Sequence, residues 1–256
     1  MVRLYAHRGA AAERPENTLA AFRRALELGA DAIETDAHLT RDGQVVLSHD
    51  PTGKRMAGVS RAIADCTLEE VWTWDAGRNF RPRSGAGETF SGQGLRVPTL
   101  AEALVELPET PFNVDVKDPS PRMIAAVLDV VRRAGAEQRV LLASFRTKTL
   151  QAIRAAGYGG PTGLGQAEIA RLALSPGLLL GRIRVLGSRA QVPLSSFGIR
   201  FATRRFIDRC HGKGLAVDFW IVDDPAMSLE LVALGADGIM TDDPAAVAPA
   251  LGKRPG

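Results

Sequence analysis

The sequence lacks the features that would predict a secreted, disulfide-bonded or membrane-spanning protein. Only two of its 256 residues are cysteines, Cys66 and Cys210, and their spacing matches no zinc motif, so we expect free thiols in a reducing compartment. No apolar run approaches the roughly 18 residues that a membrane span requires. The amino-terminal residues form no signal segment, because His7 and Arg8 interrupt the apolar stretch at once. We therefore expect a cytoplasmic protein without a stable membrane anchor.

An excess of one charge sign is also missing. The 32 basic and 29 acidic residues leave a net charge of +3, and the basic residues are spread along the chain apart from short pairs such as Arg204 and Arg205. Binding of nucleic acid would require a basic patch or stripe, so we expect no nucleic-acid partner. A small anionic substrate is compatible with this balance.

The order of the predicted elements indicates an α/β fold. An apolar strand from Val2 to Ala6 is followed by a helix from Thr18 to Leu28 and by a strand that contains Glu34 and Asp36. Such strand–helix–strand units imply parallel strands with right-handed crossovers. Further strands are predicted at 111–116, 139–143, 215–222 and 238–240, with one that ends at 163–165 and one whose limits within 183–196 are the least legible. Eight such units, in a chain close to the typical length of about 250 residues, predict a (β/α)8 TIM barrel.

One further predicted strand, in addition to the eight that the barrel needs, is explained by a hairpin. Asp42 and Gly43 are typical of a two-residue turn, so residues 45–48 would run antiparallel to the Glu34 strand and return the chain to the barrel mouth. With this turn, Asp36 would lie directly opposite His49, and both side chains would share one face.

Residues 51–97 differ in composition from the rest of the chain. They include a stretch from 77 to 94 that is rich in Gly, Arg and Ser, together with Trp72 and Trp74. Because this segment is too short to bury much core alone, we predict an insertion over the carboxyl-terminal mouth of a single domain that spans residues 1–256.

Charged residues collect where the predicted strands end, which is where such barrels hold their catalytic groups. Three carboxylates at one rim would need positive charge to remain ionised together. Glu34, Asp36 and Asp115 offer the oxygen ligands that Mg²⁺ or Ca²⁺ prefers. Two nearby histidines leave zinc as an alternative metal.

Phosphate ester cleavage is the chemistry that the remaining rim residues suggest. Arg8 and Lys117 would stabilise charge on phosphoryl oxygens beside a metal ion. His7 and His49 suit a general base and a general acid, because the ordinary pKa of an imidazole lies near neutrality. Each residue alone also has a structural interpretation: His7 as a hydrogen-bonded core histidine, and Trp220 as part of the core or as a wall for substrate.

The motifs that carry these residues resemble those of the glycerophosphodiester phosphodiesterases. In chain order they are Ala6-His7-Arg8-Gly9, Pro15-Glu16-Asn17-Thr18, Ile33-Glu34-x-Asp36, His49-Asp50-Pro51-Thr52, Val97-Pro98-Thr99-Leu100, Asn113-x-Asp115-x-Lys117, Trp220 and Gly238-Ile239-Met240-Thr241-Asp242. The resemblance covers nearly the whole chain and implies a barrel with a small insertion after the second strand.

The resemblance also implies a role for each site residue. Glu34, Asp36 and Asp115 would bind one divalent cation, His7 and His49 would form the acid–base pair, Arg8 and Lys117 would hold the phosphate, and Trp220 would line the glycerol pocket. The implied reaction, in lipid and glycerol metabolism, is hydrolysis of a glycerophosphodiester to glycerol 3-phosphate and an alcohol. A cyclic phosphate, formed by attack of the glycerol 2-hydroxyl, would be the intermediate.

Two departures from the family pattern carry further expectations. Asp115 stands where the family usually has glutamate, which predicts a shift in metal distance or preference. The loop from Arg55 to Val59 is more apolar than is usual. It would form an apolar mouth that suits a lysophospholipid, which makes a lysophospholipase D the alternative function. A non-catalytic phosphate-binding barrel is disfavoured by the intact acids and histidines. The sequence specifies neither the headgroup, nor the physiological metal, nor the oligomeric state.

Overall fold

The protein is built around a curled parallel sheet, with helices on its outer face. The computed structural model describes residues 2–85 and 89–256. Its strands are β1 (Arg3–His7), β2 (Ala32–Leu39), β3 (Val45–Leu47), β4 (Phe112–Val116), β5 (Val140–Ala143), β6 (Arg189–Val192), β7 (Ser195–Ser196), β8 (Ile199–Arg200), β9 (Ala216–Phe219) and β10 (Gly238–Thr241). Its helices are α1 (Leu19–Glu27), α2 (Lys54–Ala57), α3 (Leu68–Trp72), α4 (Leu100–Glu106), α5 (Pro121–Arg133), α6 (Thr147–Ala155), α7 (Gln166–Leu174), α8 (Gly177–Leu180), α9 (Arg204–His211), α10 (Pro225–Leu234) and α11 (Pro244–Ala250), with a 3₁₀ turn at Ile63–Asp65.

The sheet closes into the predicted barrel. Its strands follow the order β5-β4-β2-β1-β10-β9-β6, and every neighbouring pair is parallel. Two residues fill the gap between β5 and β6: Thr162 forms a parallel bridge with Leu142, and Gly163 forms one with Arg189. The predicted strand near 163–165 is therefore reduced to the pair 162–163. The α/β TIM-barrel prediction is confirmed.

Helix α5 shows how the sequence builds the outer layer. Ser120 caps it by accepting a hydrogen bond from the Met123 amide, and Pro121 occupies its first turn, where no amide is needed. Its buried residues, Met123, Ile124, Val127, Leu128 and Val131, recur at helical spacing and pack on the outer face of the barrel.

Strand β2 brings acidic side chains into the barrel because successive side chains alternate between its two faces. Ile33 and Ala37 belong to the apolar cluster beneath the helices, so Glu34 and Asp36 face the interior. Both faces of the strand are buried, as is usual for parallel sheets.

The β2–β3 hairpin is present, but its predicted register is wrong by one residue. Ala37 pairs with Leu47, and the Ser48 amide donates to the Asp36 carbonyl, so Asp36 lies opposite Ser48. The turn is a three-residue loop, 41–43, because Gly43 adopts a φ of +86° after the type I-like Thr40–Gly43 turn. His49 still follows β3 at the barrel mouth.

The segment between β3 and α4 has a small apolar cluster of its own. Trp74 lies at its centre with Ile63 and Val71, and Met56 and Val59 pack against the same cluster. The apolar residues of the 55–59 loop therefore serve this packing, and the expectation that they form an apolar mouth is wrong. Residues 86–88 of the predicted insertion lie outside the described residues, and the single-domain division stays a prediction. Within the described residues, no helix has both the length and the hydropathy to cross a bilayer.

Candidate active site

A cavity of about 360 Å³ opens at the carboxyl-terminal end of the barrel. Its lining includes all eight residues proposed from the sequence: His7, Arg8, Glu34, Asp36, His49, Asp115, Lys117 and Trp220. The volume is within the range of small-molecule sites, about 300–1,000 Å³. The structure thus brings together side chains from five separate segments of the chain.

Strand register groups the three carboxylates on one wall of this cavity. Asp36 is the direct neighbour of Asp115 across β2 and β4, and Glu34 is the neighbour of Asn113 and of His7. Burial and the nearby charge of Asp36 raise the pKa of Glu34 to about 8, and burial raises the pKa of Asp115. The wall therefore favours a cation among these oxygens.

Lys117 supplies part of that positive charge. Its Nζ lies 2.7 Å from Asp36 Oδ1 and 2.6 Å from Asp115 Oδ2. Although burial raises the pKa of Asp36, the charges of Lys117 and Arg8 hold it below the ordinary value. Asp36 is also fixed by Asn17, whose amide donates to Oδ2 at 3.1 Å.

Arg8 enters the cavity through an unusual backbone turn. Its φ is +57°, and Gly9 follows at +87° with the backbone of Ala21 only 2.7 Å from where a Cβ would lie. Only glycine fits that close approach. The Arg8 guanidinium reaches Glu16 at 3.2 Å and lies 3.4 Å from Asp36, while its buried Nε has no hydrogen-bond partner in the described residues.

His7 is oriented by a carboxylate that the sequence analysis did not select. Its Nδ1 lies 2.6 Å from Asp242 Oδ1, and Nε2 lies 3.8 Å from Glu34 Oε2. Burial lowers the pKa of His7, but Glu34 and Asp242 raise it more, so the net shift is upward. The hydrogen bond from His7 keeps the pKa of Asp242 low despite burial, so Nδ1–H donates and Nε2 is left for chemistry.

His49, like His7, has a carboxylate partner at Nδ1. Its Nδ1 lies 2.8 Å from Asp50 Oδ1, and this hydrogen bond, with Arg55, holds the pKa of Asp50 low despite partial burial. The backbone carbonyl of His49 accepts a hydrogen bond from His38 Nε2 at 3.2 Å. His38 therefore contacts the segment that carries His49.

Arginines of the 51–97 segment contact both orienting carboxylates. Arg55 Nε donates to Asp50 at 2.6 Å, and its terminal nitrogens donate to Glu16 at 2.7 Å. Arg83 donates to Asp242 at 3.3 Å and to Asp223 at 2.8 Å. Each histidine is thus linked by hydrogen bonds, through a carboxylate, to an arginine of this segment.

Sequence reasoning missed Asp50, Asp242, Asn17 and Asn113 as site residues, although all four stand within the motifs. Asp242 closes the last strand and Asp50 adjoins His49, so position at a strand end was the available signal. Asn113 lines the cavity, and its buried Oδ1 has no hydrogen-bond partner in the described part of the chain.

The wall opposite the carboxylates is apolar. It is formed by Leu164, Ile169, Val192, Ile199, Phe201 and Trp220. The Trp220 ring meets Phe145 edge to face, with 5.6 Å between centroids. The cavity therefore has one charged side and one side suited to hydrocarbon.

The donor set fits a hard divalent cation. Glu34, Asp36 and Asp115 offer carboxylate oxygens, the unpartnered Oδ1 of Asn113 offers a neutral oxygen, and Mg²⁺ and Ca²⁺ take such ligands. Across residues 2–85 and 89–256, no three acidic, histidine or cysteine side chains stand in a closed metal-ligand arrangement. Because Lys117 Nζ lies between Asp36 and Asp115, a cation bound by both would require that side chain to move.

Comparison with known proteins agrees with this site. The family model described as "Glycerophosphoryl diester phosphodiesterase family" matches residues 7–246. A glycerophosphodiester phosphodiesterase of Caldanaerobacter subterraneus subsp. tengcongensis is 30% identical over 93% of both chains. The human Lysophospholipase D GDPD1 is 27% identical over 93% of this chain and 82% of its own.

A solved structure shares the same architecture. The putative glycerophosphoryl diester phosphodiesterase of Silicibacter pomeroyi DSS-3 superposes with a TM-score of 0.81 at 27% identity, covering 98% of this chain and 93% of that one. The match of the family model includes all the described residues that line the cavity. The chain belongs to the glycerophosphoryl diester phosphodiesterase family, a family of phosphoric diester hydrolases.

Proposed function

We propose that this phosphoric diester hydrolase cleaves glycerophosphodiesters to glycerol 3-phosphate and an alcohol, with His7 and His49 as the acid–base pair. One observation carries the proposal: two imidazoles, each held by a carboxylate at Nδ1, line the same cavity as a wall of three buried carboxylates. General acid–base catalysis needs two such groups, one to remove a proton and one to supply it.

The side chains divide the reaction between them. Arg8 and Lys117 bind the phosphoryl oxygens, and Trp220 packs against the glycerol. One histidine Nε2 takes the proton of the glycerol 2-hydroxyl as its oxygen attacks phosphorus, and the other protonates the departing alcohol oxygen. Their roles then reverse: water, losing a proton to one imidazole, opens the cyclic phosphate, and the 2-hydroxyl regains its proton.

Glu34, Asp36 and Asp115 would hold one divalent cation, Mg²⁺ or Ca²⁺. When bound, this ion would supply Lewis-acid polarisation of the phosphoryl oxygens. The raised pKa values of Glu34 and Asp115 support the assignment, since both carboxyls lie where a positive charge would stabilise their ionised forms.

Product analysis tests the proposed reaction. We expect glycerophosphocholine, incubated with the protein and Mg²⁺ or Ca²⁺, to yield glycerol 3-phosphate and choline in equal amounts. Excess EDTA should abolish turnover, and either metal in excess should restore it. Release of phosphocholine and glycerol would place the cleavage at the other ester bond, and equal rates with and without EDTA would refute the metal assignment.

The pH dependence of thermal stability should show whether a cation binds beside Glu34. Burial and the charge of Asp36 raise the pKa of Glu34 to about 8 from 4.5. The contribution of the Glu34 carboxyl to the free energy of unfolding is therefore complete below pH 4.5 and is lost as the pH approaches 8. We expect the Tm of metal-free protein to fall over this range, and added Mg²⁺ or Ca²⁺ to raise Tm most at its upper end.

A pair of glutamate variants isolates this effect. Glu34→Gln should flatten the pH dependence and weaken the metal-induced gain in Tm. Glu168→Gln is the matched control, because Glu168 is equally buried but pairs with Arg154 outside the cavity. An unchanged pH profile and metal response in Glu34→Gln would contradict the assignment.

A lysophospholipase D is the second candidate, favoured by the apolar wall opposite the carboxylates. A lysophospholipid has the same phosphodiester and a free glycerol hydroxyl, so its cleavage needs no different catalytic groups. Its acyl chain would lie against residues such as Ile169, Ile199 and Phe201. Burial of each methylene is worth about 0.8 kcal/mol, so this wall would favour a long chain.

Substrate comparison distinguishes the two candidates. We expect Ile199→Ser to lower kcat/KM for lysophosphatidylcholine by about tenfold and to leave glycerophosphocholine turnover nearly unchanged, because only the acyl chain would contact Ile199. Ile183→Ser is the control, since Ile183 packs against the same apolar cluster but does not line the cavity. Equal losses for both substrates would remove Ile199 from acyl-chain binding.

A further inference from the structure

The small net charge of the chain conceals an uneven distribution. Residues 141–213 contain twelve lysines and arginines but only two acidic residues, Glu168 and Asp208. The other residues consequently carry a net negative charge. Because 141–213 runs from β5 to α9, the excess positive charge lies on one side of the barrel. A field of this kind attracts an anionic partner to that side.

Three of these basic residues lie at the mouth end and remain free. Arg146 and Lys148 follow the carboxyl end of β5 at the start of α6, and Arg200 belongs to the β7–β8 hairpin that follows β6. All three are exposed, and within residues 2–85 and 89–256 none of their side chains has an ion pair or hydrogen bond. Their charges are therefore available to an external ligand.

Large apolar side chains protrude at the same mouth. Phe197, at the tip of the β7–β8 hairpin, is 97% exposed, and Phe145 and Ile221 are 49% and 41% exposed. All three line the opening of the cavity. A single exposed apolar residue needs no explanation, but three around one opening mark an interaction site.

We propose that this rim, defined by Phe145, Arg146, Lys148, Phe197, Arg200 and Ile221, docks the protein on an anionic lipid surface. Protruding apolar side chains would enter the interface between headgroups and acyl chains, and the three cations would contact anionic headgroups. Nucleic acid would use the cations but would leave an aliphatic residue such as Ile221 without a function. Docking in this orientation places the catalytic cavity at the lipid surface.

Vesicle binding tests the proposal without reference to turnover, so its failure is separate from that of the proposed reaction. We expect the protein to co-sediment with vesicles of phosphatidylcholine and phosphatidylglycerol at an ionic strength of about 0.15 M, and much less with phosphatidylcholine alone. Binding should weaken as salt is raised, because exposed charges are screened.

Two variants at the rim should weaken binding. Replacement of Arg146, Lys148 and Arg200 together by glutamine should lower vesicle affinity by about a hundredfold, since each basic residue near a lipid surface contributes about fivefold. Phe197→Ser should lower it by about tenfold through loss of apolar insertion. The triple glutamine variant should keep wild-type turnover of glycerophosphocholine.

Matched controls come from the other end of the barrel. Lys213, just before the amino end of β9, binds the Gly181 carbonyl, so residues 177–184 lie at that end. Leu178 is 97% exposed, and Arg182 and Arg184 are exposed too. Leu178→Ser and the paired change of Arg182 and Arg184 to glutamine should leave vesicle binding unchanged.

Four results would overturn the proposal. They are no vesicle binding by the wild type, equal binding to neutral and anionic vesicles, equal losses in the rim and control variants, and tighter binding to single-stranded RNA that the triple glutamine variant abolishes. The last would identify the basic side as a nucleic-acid surface.

Discussion

Replacement of either His49 or His7 by alanine is expected to lower kcat for glycerophosphocholine by about 10³-fold, because general acid–base catalysis typically contributes about 10²–10⁴-fold. Neither imidazole is among the proposed metal ligands, so both variants should still show the metal-induced rise in Tm. Asp50→Asn and Asp242→Asn should give smaller losses, since each keeps the imidazole but disturbs its tautomer and orientation at Nδ1.

A third histidine supplies the control for these variants. His211 Nε2 lies 2.8 Å from Asp237 Oδ2, so it has the same kind of carboxylate partner, but it does not line the cavity. His211→Ala should retain turnover within about twofold, as expected for a surface substitution that changes stability alone. Near-normal turnover in His49→Ala would remove His49 from the mechanism.

Lys117→Met is expected to have the second large effect, a loss of about 10³-fold in kcat/KM together with a lower Tm in the metal-free protein. The change removes one phosphate-binding cation and leaves Asp36 and Asp115 facing each other in a buried site. Loss of one partner from a buried ion pair typically costs about 3–5 kcal/mol. Added Mg²⁺ or Ca²⁺ should restore much of the Tm but little of the turnover.

Lys253→Met separates the catalytic role of Lys117 from the general cost of an unpaired acid. The Lys253 side chain is 8% exposed, and its Nζ lies 2.5 Å from Oδ2 of Asp31, which is 36% exposed, on the side of the protein away from the cavity. This variant should lose stability while keeping kcat/KM. If Lys117→Met behaves in the same way, Lys117 has a structural role only.

Much of the fold follows from local sequence signals. The capping boxes at Thr67 and Thr99 and the Ser120 cap each begin a helix where the side chain can satisfy free amides. The hairpin register could not be predicted, because the Asp42-Gly43 pair suits both a two-residue and a three-residue loop. The barrel position between β5 and β6 was obscured for a different reason: residues 162–163 are too few to produce a periodic pattern.

The charged half of the site was predictable because its residues stand at the carboxyl-terminal mouth, where parallel strands converge: His7 ends β1, and Glu34 is its neighbour across the sheet. Of the apolar half only Trp220 was predicted, and Ile199 and Phe201 were not, since their place in the cavity depends on how residues 193–201 fold back over the mouth. The same limit applies to Arg55 and Arg83, whose partners lie far away in sequence, at Glu16 and Asp223. Long-range pairs of this kind leave no local pattern.

The two series of hydrogen bonds that link His7 and His49 to arginines have a consequence for protein engineering. Arg55 and Arg83 both belong to the 51–97 segment, yet their carboxylate partners Asp50 and Asp242 lie outside it. A chimaera that receives this segment from a relative without matching arginines would lose the outer support of both imidazoles in a single exchange. Grafting should therefore preserve these two arginine–carboxylate pairs as fixed junctions, while the exposed sequence between them can be varied to change the mouth of the cavity.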